Sequence, residues 1–141
     1  MTINQLSIFL ENKKGTLLQV LQILKEAKVQ IIASAIADTV DYGILRIICN
    51  NPKEAYQVLK DNGIAVALTD VFAIALANKV GEAAEVTSIF AKADISITYL
   101  YSFLMNGKGI LIFRTDNADE AAKVIESNKL TSFSESELES L

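Results

Sequence analysis

Residues 10–17 read LENKKGTL, and residues 76–83 read LANKVGEA. Leu10, Asn12, Lys13 and Gly15 recur sixty-six positions later as Leu76, Asn78, Lys79 and Gly81. The offset carries on outward without a gap. Val20 meets Val86, Ile23 meets Ile89, Ala27 meets Ala93 and Ile31 meets Ile97. Further along, Asn51, Glu54, Ala55 and Val58 meet Asn117, Glu120, Ala121 and Val124. Identities spread this evenly, with turn residues falling on turn residues, mark an internal duplication of one supersecondary unit. The copies are placed at 1–69 and 70–141, meeting at Thr69-Asp70 without a flexible linker. A unit of this size is marginal alone, so the two copies are expected to pack as a pseudo-symmetric pair.

Each copy alternates strand and helix signals in one order. Gln5–Leu10 reads as a strand, and Leu17, Leu18, Leu21 and Leu24 lie at helical spacing within 15–27. Val29–Ala37 and Ile44–Cys49 read as two strands joined by a polar hairpin over Asp38–Gly43. Asn51-Pro52 opens a second helix, with Asn51 as its N-cap and Pro52 at its first position. Asp61-Asn62-Gly63 stops it, and Ile64–Leu68 forms a fourth strand. In the second copy the strands are Phe72–Ala77, Ile95–Leu104, Gly109–Arg114 and Lys129–Phe133. The helices are Glu82–Ala91 and Asn117–Glu126, and Asn106-Gly107 forms the hairpin turn. The tail Ser134–Leu141 reads as a loose or short helical end. The order is β-α-β-β-α-β twice over, an α+β class with two ferredoxin-like units.

The whole chain has 141 residues, 51% of them apolar and 21% charged, with a net charge of -4. That composition supports a folded domain. It disfavours nucleic-acid binding through general positive charge. Most of the negative charge lies in 70–141, which holds eleven acidic and six basic residues. There is no His and a single Cys, Cys49. Catalytic triads with His, His-ligated metals, an intrachain disulfide and four-cysteine zinc sites are therefore excluded. Cys49 sits in the apolar run Ile44–Cys49 and reads as a core residue. Ferredoxin-like RNA readers carry paired aromatics with basic residues on the third strand. Here Ile44–Cys49 offers only Arg46, and Gly109–Arg114 only Phe113 beside Arg114. Gly107-Lys108-Gly109 is not a phosphate-loop pattern and suits a hairpin turn. No convergent set of catalytic groups emerges, so no enzyme activity, cofactor or metal is expected. The start Met1–Leu6 lacks a signal-peptide pattern, and no apolar run reaches the roughly 18 residues of a membrane helix. A cytoplasmic protein without membrane contact is the expectation.

The first strand–helix junction and the element order resemble the ACT domain. That family's junction reads roughly Asp/Asn-x-Pro-Gly-x-Leu. Asn12 and Gly15 match it in copy one, and Asn78 and Gly81 in copy two; Lys14 and Val80 replace the Pro. The family's Leu is kept as Leu17 and becomes Ala83. The resemblance implies two ACT-like units and a regulatory protein without its own catalytic domain. It implies an L-amino acid ligand, bound between one unit's junction and the second strand of its neighbour. Carried onto this chain, the candidates are Asn12, Lys13, Lys14, Gly15, Thr16 and Leu17, with Asn78, Gly81, Glu82 and Ala83. The facing strands offer Ala33–Ala37 in copy one and Tyr99–Phe103 in copy two, with Ala35, Tyr99 and Tyr101 foremost. A homodimer and a separate enzyme or regulator as partner are further implications. The competing reading is an interaction module that has lost its ligand, to which the missing Pro at both junctions points.

The residues supply their own argument. A Gly lets the backbone turn sharply into the helix, whose first N–H groups favour a carboxylate. Asn and Gly also form turns that bind nothing. Lys13 and Lys14 would add positive charge beside a ligand carboxylate. Glu82 opposes a carboxylate, which favours copy one for that group, but it suits a ligand's ammonium. Ala33, Ala35 and Ala37 become Tyr99, Tyr101 and Phe103 in copy two, three side chains on one strand face. They are expected to pack beneath the helices and make up for the small Ala83 and Ala84, or else to wall an interface or pocket. Ile32 and Ile36 are expected on one face of the second strand, and Ile31 with the alanines on the other.

Overall fold

A computed structural model describes residues 1–38 and 41–141. The chain forms two compact units, Asn4–Thr69 and Asp70–Leu141 with Met1–Ile3. The predicted hairpin at Asp38–Gly43 lies partly outside the described residues, at Thr39 and Val40.

The first unit contains β1 (Ile3–Glu11), α1 (Thr16–Glu26), β2 (Ile31–Asp38), β3 (Tyr42–Cys49), α2 (Pro52–Asp61) and the start of β4 (Val66–Leu76). Its strand order is β2-β3-β1-β4, with both β1–β3 and β2–β3 antiparallel. Leu6, Ile8, Leu10, Leu45 and Ile47 from the strands pack with Val20 and Leu24 of α1 and Ala55 and Leu59 of α2. Cys49 is buried in this core.

The second unit contains the remainder of β4, then α3 (Glu82–Lys92), β5 (Ile97–Met105), β6 (Lys108–Thr115), α4 (Ala118–Ser127) and α5 (Glu135–Glu139). β4, β6 and β5 lie side by side, antiparallel. The predicted last strand is reduced to a bridge between Ile74 and Ser132. The Ala75 N–H donates to the Thr131 carbonyl and the Phe133 N–H to the Ala73 carbonyl, so this segment still runs along the second half of β4. The predicted strands Ile64–Leu68 and Phe72–Ala77 are in fact one strand, because Thr69 and Asp70 continue the extended backbone. The tail is a capped helical turn. Ser134 and Glu137 form a reciprocal capping box, and Leu138 is buried.

The duplication reaches into single hydrogen bonds. The Asn50 carboxamide accepts from the Gln30 N–H, and the Asp116 carboxylate accepts from the Ser96 N–H. Asn62 and Asn128 each donate from the side chain to the carbonyl four residues back, closing α2 and α4. One matched pair departs. Asn117 caps α4 by accepting from the Glu120 N–H at 3.2 Å. Asn51 has a left-handed backbone, φ 46, and makes no side-chain cap bond, so the cap expected there is absent. Asn117→Ala should therefore cost about 1 kcal/mol by urea denaturation, and Asn51→Ala should lose no cap contribution.

Strand register corrects two expectations. Tyr99, Tyr101 and Phe103 pair with Arg114, Ile112 and Ile110. These partners alternate with Phe113 and Leu111, which belong to the helix-packed core. The three aromatics therefore face away from the helices and do not compensate for Ala83 and Ala84. In β2, Ile36 pairs with Leu45 and Ile31 with Cys49, both residues of the helix-packed core. Ile31 and Ile36 thus share a side despite their odd spacing, because a register shift between Ile31 and Ala33 breaks the alternation.

Candidate ligand-binding site

Both junctions between a unit's first strand and first helix are built alike. Gly15 and Gly81 precede α1 and α3 with φ of 87° and 85°, in the left-handed region that L side chains seldom occupy. The Lys13 N–H bonds the Glu11 carbonyl at 2.7 Å, and the Lys79 N–H bonds the Ala77 carbonyl at 2.9 Å. Neither helix has a side-chain cap; the first N–H of each is taken by the loop, Thr16 donating to the Lys13 carbonyl and Glu82 to the Lys79 carbonyl, both at 3.4 Å.

Their polar side chains differ. In the first junction the Thr16 hydroxyl lies 2.8 Å from the Glu11 carbonyl and 3.0 Å from the Lys13 carbonyl, so it is used within its own loop. Lys13 pairs with Glu11 at 2.7 Å on the surface. That hydrogen bond first, and the lysine's charge second, hold the Glu11 carboxyl below its ordinary value; the Lys13 ammonium is raised in turn. Such an exposed pair adds little to stability. In the second junction Glu82 replaces Thr16. Its Oε2 is closed off from solvent and receives no hydrogen bond; the Lys79 ammonium stands 3.5 Å away.

A cleft of about 380 Å³ opens at the second junction. Asn78, Lys79, Gly81, Glu82, Ala83 and Ala84 line one side, and Ser102, Phe103 and Leu104 of β5 the other. Leu76, Ala77 and Gly109 complete its lining. Ser102 and Leu104 pair with Leu111 and Gly109, so their side chains stand on the helix-bearing side of the strands, and Leu104 is exposed. At Gly109 the strands come too close for a side chain: a Cβ would lie 2.2 Å from the Leu76 carbonyl oxygen.

In the first unit a cleft of about 400 Å³ reaches only the edge of the junction. It is lined by Glu11 and Thr16, with Phe9, Gln19, Tyr42 and Ile64 among the other contributors. Of the candidate residues, the second cleft thus gathers Asn78, Gly81, Glu82 and Ala83, and the first takes only Thr16. Asn12, Lys13, Lys14, Gly15, Leu17 and Ala35 line neither, and neither does Tyr101; Tyr99 borders a separate groove with Thr87, Ala91 and Leu100. Ser102 and Phe103 fall within the facing-strand candidates Tyr99–Phe103, whereas Ala84 and Leu104 were not among the candidates. Ala84 was legible, because Leu17-Leu18 shrinks to Ala83-Ala84 beside the glycine.

A family model described as an ACT domain pair matches residues 1–141. The chain belongs to the ACT domain family. ACT domains are non-catalytic regulatory modules that generally bind small ligands, and they often dimerise or work with catalytic enzymes. Among solved structures, this ACT pair is similar to protein BT0572 from Bacteroides thetaiotaomicron. The two are 38% identical over 100% of this chain and 98% of that one, with a TM-score of 0.94. It shares its fold with the regulatory subunit of aspartate kinase from Thermus thermophilus in a ligand-free form. There the identity is 15% over 88% of this chain and 91% of that one, with a TM-score of 0.63. The same subunit from Thermus flavus is 16% identical over 88% and 90%, with a TM-score of 0.60. No protein of curated function matches the sequence. Among the described residues of the ACT pair, no helix is long and apolar enough to cross a membrane.

Proposed function

We propose that this ACT pair is an amino-acid sensor: it binds a small L-amino acid at a strand–helix junction and regulates a separate catalytic partner. The observation that carries the reading is the cleft at the second junction. It combines an uncapped helix N-terminus, a left-handed glycine and a carboxylate with an oxygen that receives no hydrogen bond, among apolar residues. Few polar groups converging in an apolar concavity is the usual form of a small-molecule site. In this reading the protein works in the cytoplasm as a homodimer. Exposed Ile36 on β2 and Leu100 and Leu104 on β5, each the outermost strand of its unit, support self-association. Light scattering should return a dimer; a monodisperse monomer at high micromolar concentration would count against that part.

The binding test is calorimetry against individual L-amino acids, chosen from a thermal-shift panel. One should bind saturably and stereospecifically. Ala83→Leu combined with Ala84→Leu, the residues of the first junction, should weaken it tenfold or more by filling the cleft. Both positions are exposed, so the variant should fold. A well-folded chain that binds no amino acid would turn the reading to an interaction module.

A further inference from the structure

The helix layers of the two units keep one apolar pattern and exchange their charges. An open groove of about 490 Å³ lies between α3 and α4. Ile89, Ala93 and Val124 line it together with Lys92, Lys123 and Ser127. Sixty-six positions earlier the apolar three are the same residues, Ile23, Ala27 and Val58. The other three are Glu26, Gln57 and Asp61, so every change into the second unit moves the charge in the positive direction. On the flanks it moves the other way: Lys28, Lys53 and Lys60 become Asp94, Asp119 and Glu126. All of these charged side chains are exposed. Glu54 and Glu120 keep one sign, and Lys123 meets Glu120 at 3.1 Å. Contact with water alone favours neither sign at an exposed position. Faces of opposite sign over a common apolar pattern attract each other, and two copies of either face repel.

We infer that the helix layer of one chain's first unit docks on the helix layer of a second chain's second unit. This rests on the homodimer reading above and names its surface; it does not require the amino acid. In a two-fold pair of chains the contact forms twice. Half-buried Ile23 and Val58 then meet Ile89 and Val124 of the second copy, and the surface that carries Glu26 and Asp61 meets the one that carries Lys92 and Lys123. Docking of first unit on first unit is disfavoured, because it sets Glu26 and Asp61 against their own kind.

The test reverses the charges in the full chain. One variant carries Lys92→Glu with Lys123→Glu, and the other Glu26→Lys with Asp61→Lys. Sedimentation equilibrium reads the dimer dissociation constant, with circular dichroism as the folding check. Each variant alone should dimerise at least tenfold more weakly than wild type. An equimolar mixture of the two should recover the wild-type affinity, because each mixed pair sets opposite signs at both contacts. Damage to the fold would not be repaired by mixing. Folded variants that dimerise like wild type, or a mixture no tighter than its parts, would overturn the inference and leave self-association to the outer strands β2 and β5. Wild-type assemblies larger than a dimer would overturn the two-fold pairing. A wild-type chain that stays monomeric at high micromolar concentration would overturn both the inference and the homodimer reading.

Discussion

Replacing Gly109 by alanine should destabilise the second unit by about 3 kcal/mol or more, whereas Gly43→Ala, at the matching position, should cost about 1 kcal/mol or less. Both glycines sit in the third strand of their unit, opposite the end of the first: Gly109 pairs with Leu76 and Gly43 with Leu10. A Cβ at Gly109 would lie 2.2 Å from the Leu76 carbonyl oxygen and 3.2 Å from its carbonyl carbon. These are backbone atoms, and moving them means parting β4 from β6. A Cβ at Gly43 meets its nearest neighbours at 3.6 Å, ordinary contact. Thermal unfolding of the two variants checks the contrast. Gly109→Ala should lower the melting temperature by on the order of 10 °C, and Gly43→Ala should stay close to wild type. The close approach also shapes the cleft, since Leu76 and Gly109 both line it.

Phe113→Ala should cost about 3–5 kcal/mol in urea denaturation. Phe113 is fully buried, and its ring lies 5.4 Å from Phe72 and 5.0 Å from Phe90, centroid to centroid. The matching first-unit residues are Ile47, Leu6 and Leu24, also buried. The two cores thus fill the same three positions with different chemistry, rings in one and branched aliphatics in the other. Truncating Phe113 removes a ring and two aromatic contacts at once, and the flanking strands limit collapse of the hole. Ile47→Val removes one methylene and should cost about 1 kcal/mol, the smaller value expected of an aliphatic trim.

Much of this was legible in the residues, because turns and periods are local properties. The constant offset showed two copies, and Gly15, Gly81 and Asn106-Gly107 fell at turns with positive φ. Pairing partners are not local. Nothing in Thr69-Asp70 says that one extended strand passes through them. The register shifts after Ile31 and Ile97 turn the strand faces over, so alternation counted along β2 and β5 misplaces Ile31 and the Tyr99 face. Asn51 and Asn117 are the same residue at the same repeat position, yet only Asn117 has the extended entry that lets its side chain cap a helix.

The candidate site was half legible for the same reason. Asn78, Gly81, Glu82 and Ala83 are contiguous with the motif, and the structure gathers them around one cleft. Ser102 and Leu104 arrive from β5, and that approach is set by the pairing of Leu104 with Gly109. A preference for the first junction followed from like-charge repulsion at Glu82. The same carboxylate suits a ligand's ammonium, and the motif alone does not show that Thr16 is bonded within its own loop.

The central claim is that an amino acid occupies the second junction. The most direct measurement is backbone amide NMR of the full chain, titrated with the amino acid that calorimetry selects. The account predicts saturable shifts concentrated at Gly81–Ala84 and Ser102–Gly109, with Asn12–Leu17 little changed. Saturable shifts confined to the first junction, or no shifts at either, would contradict it.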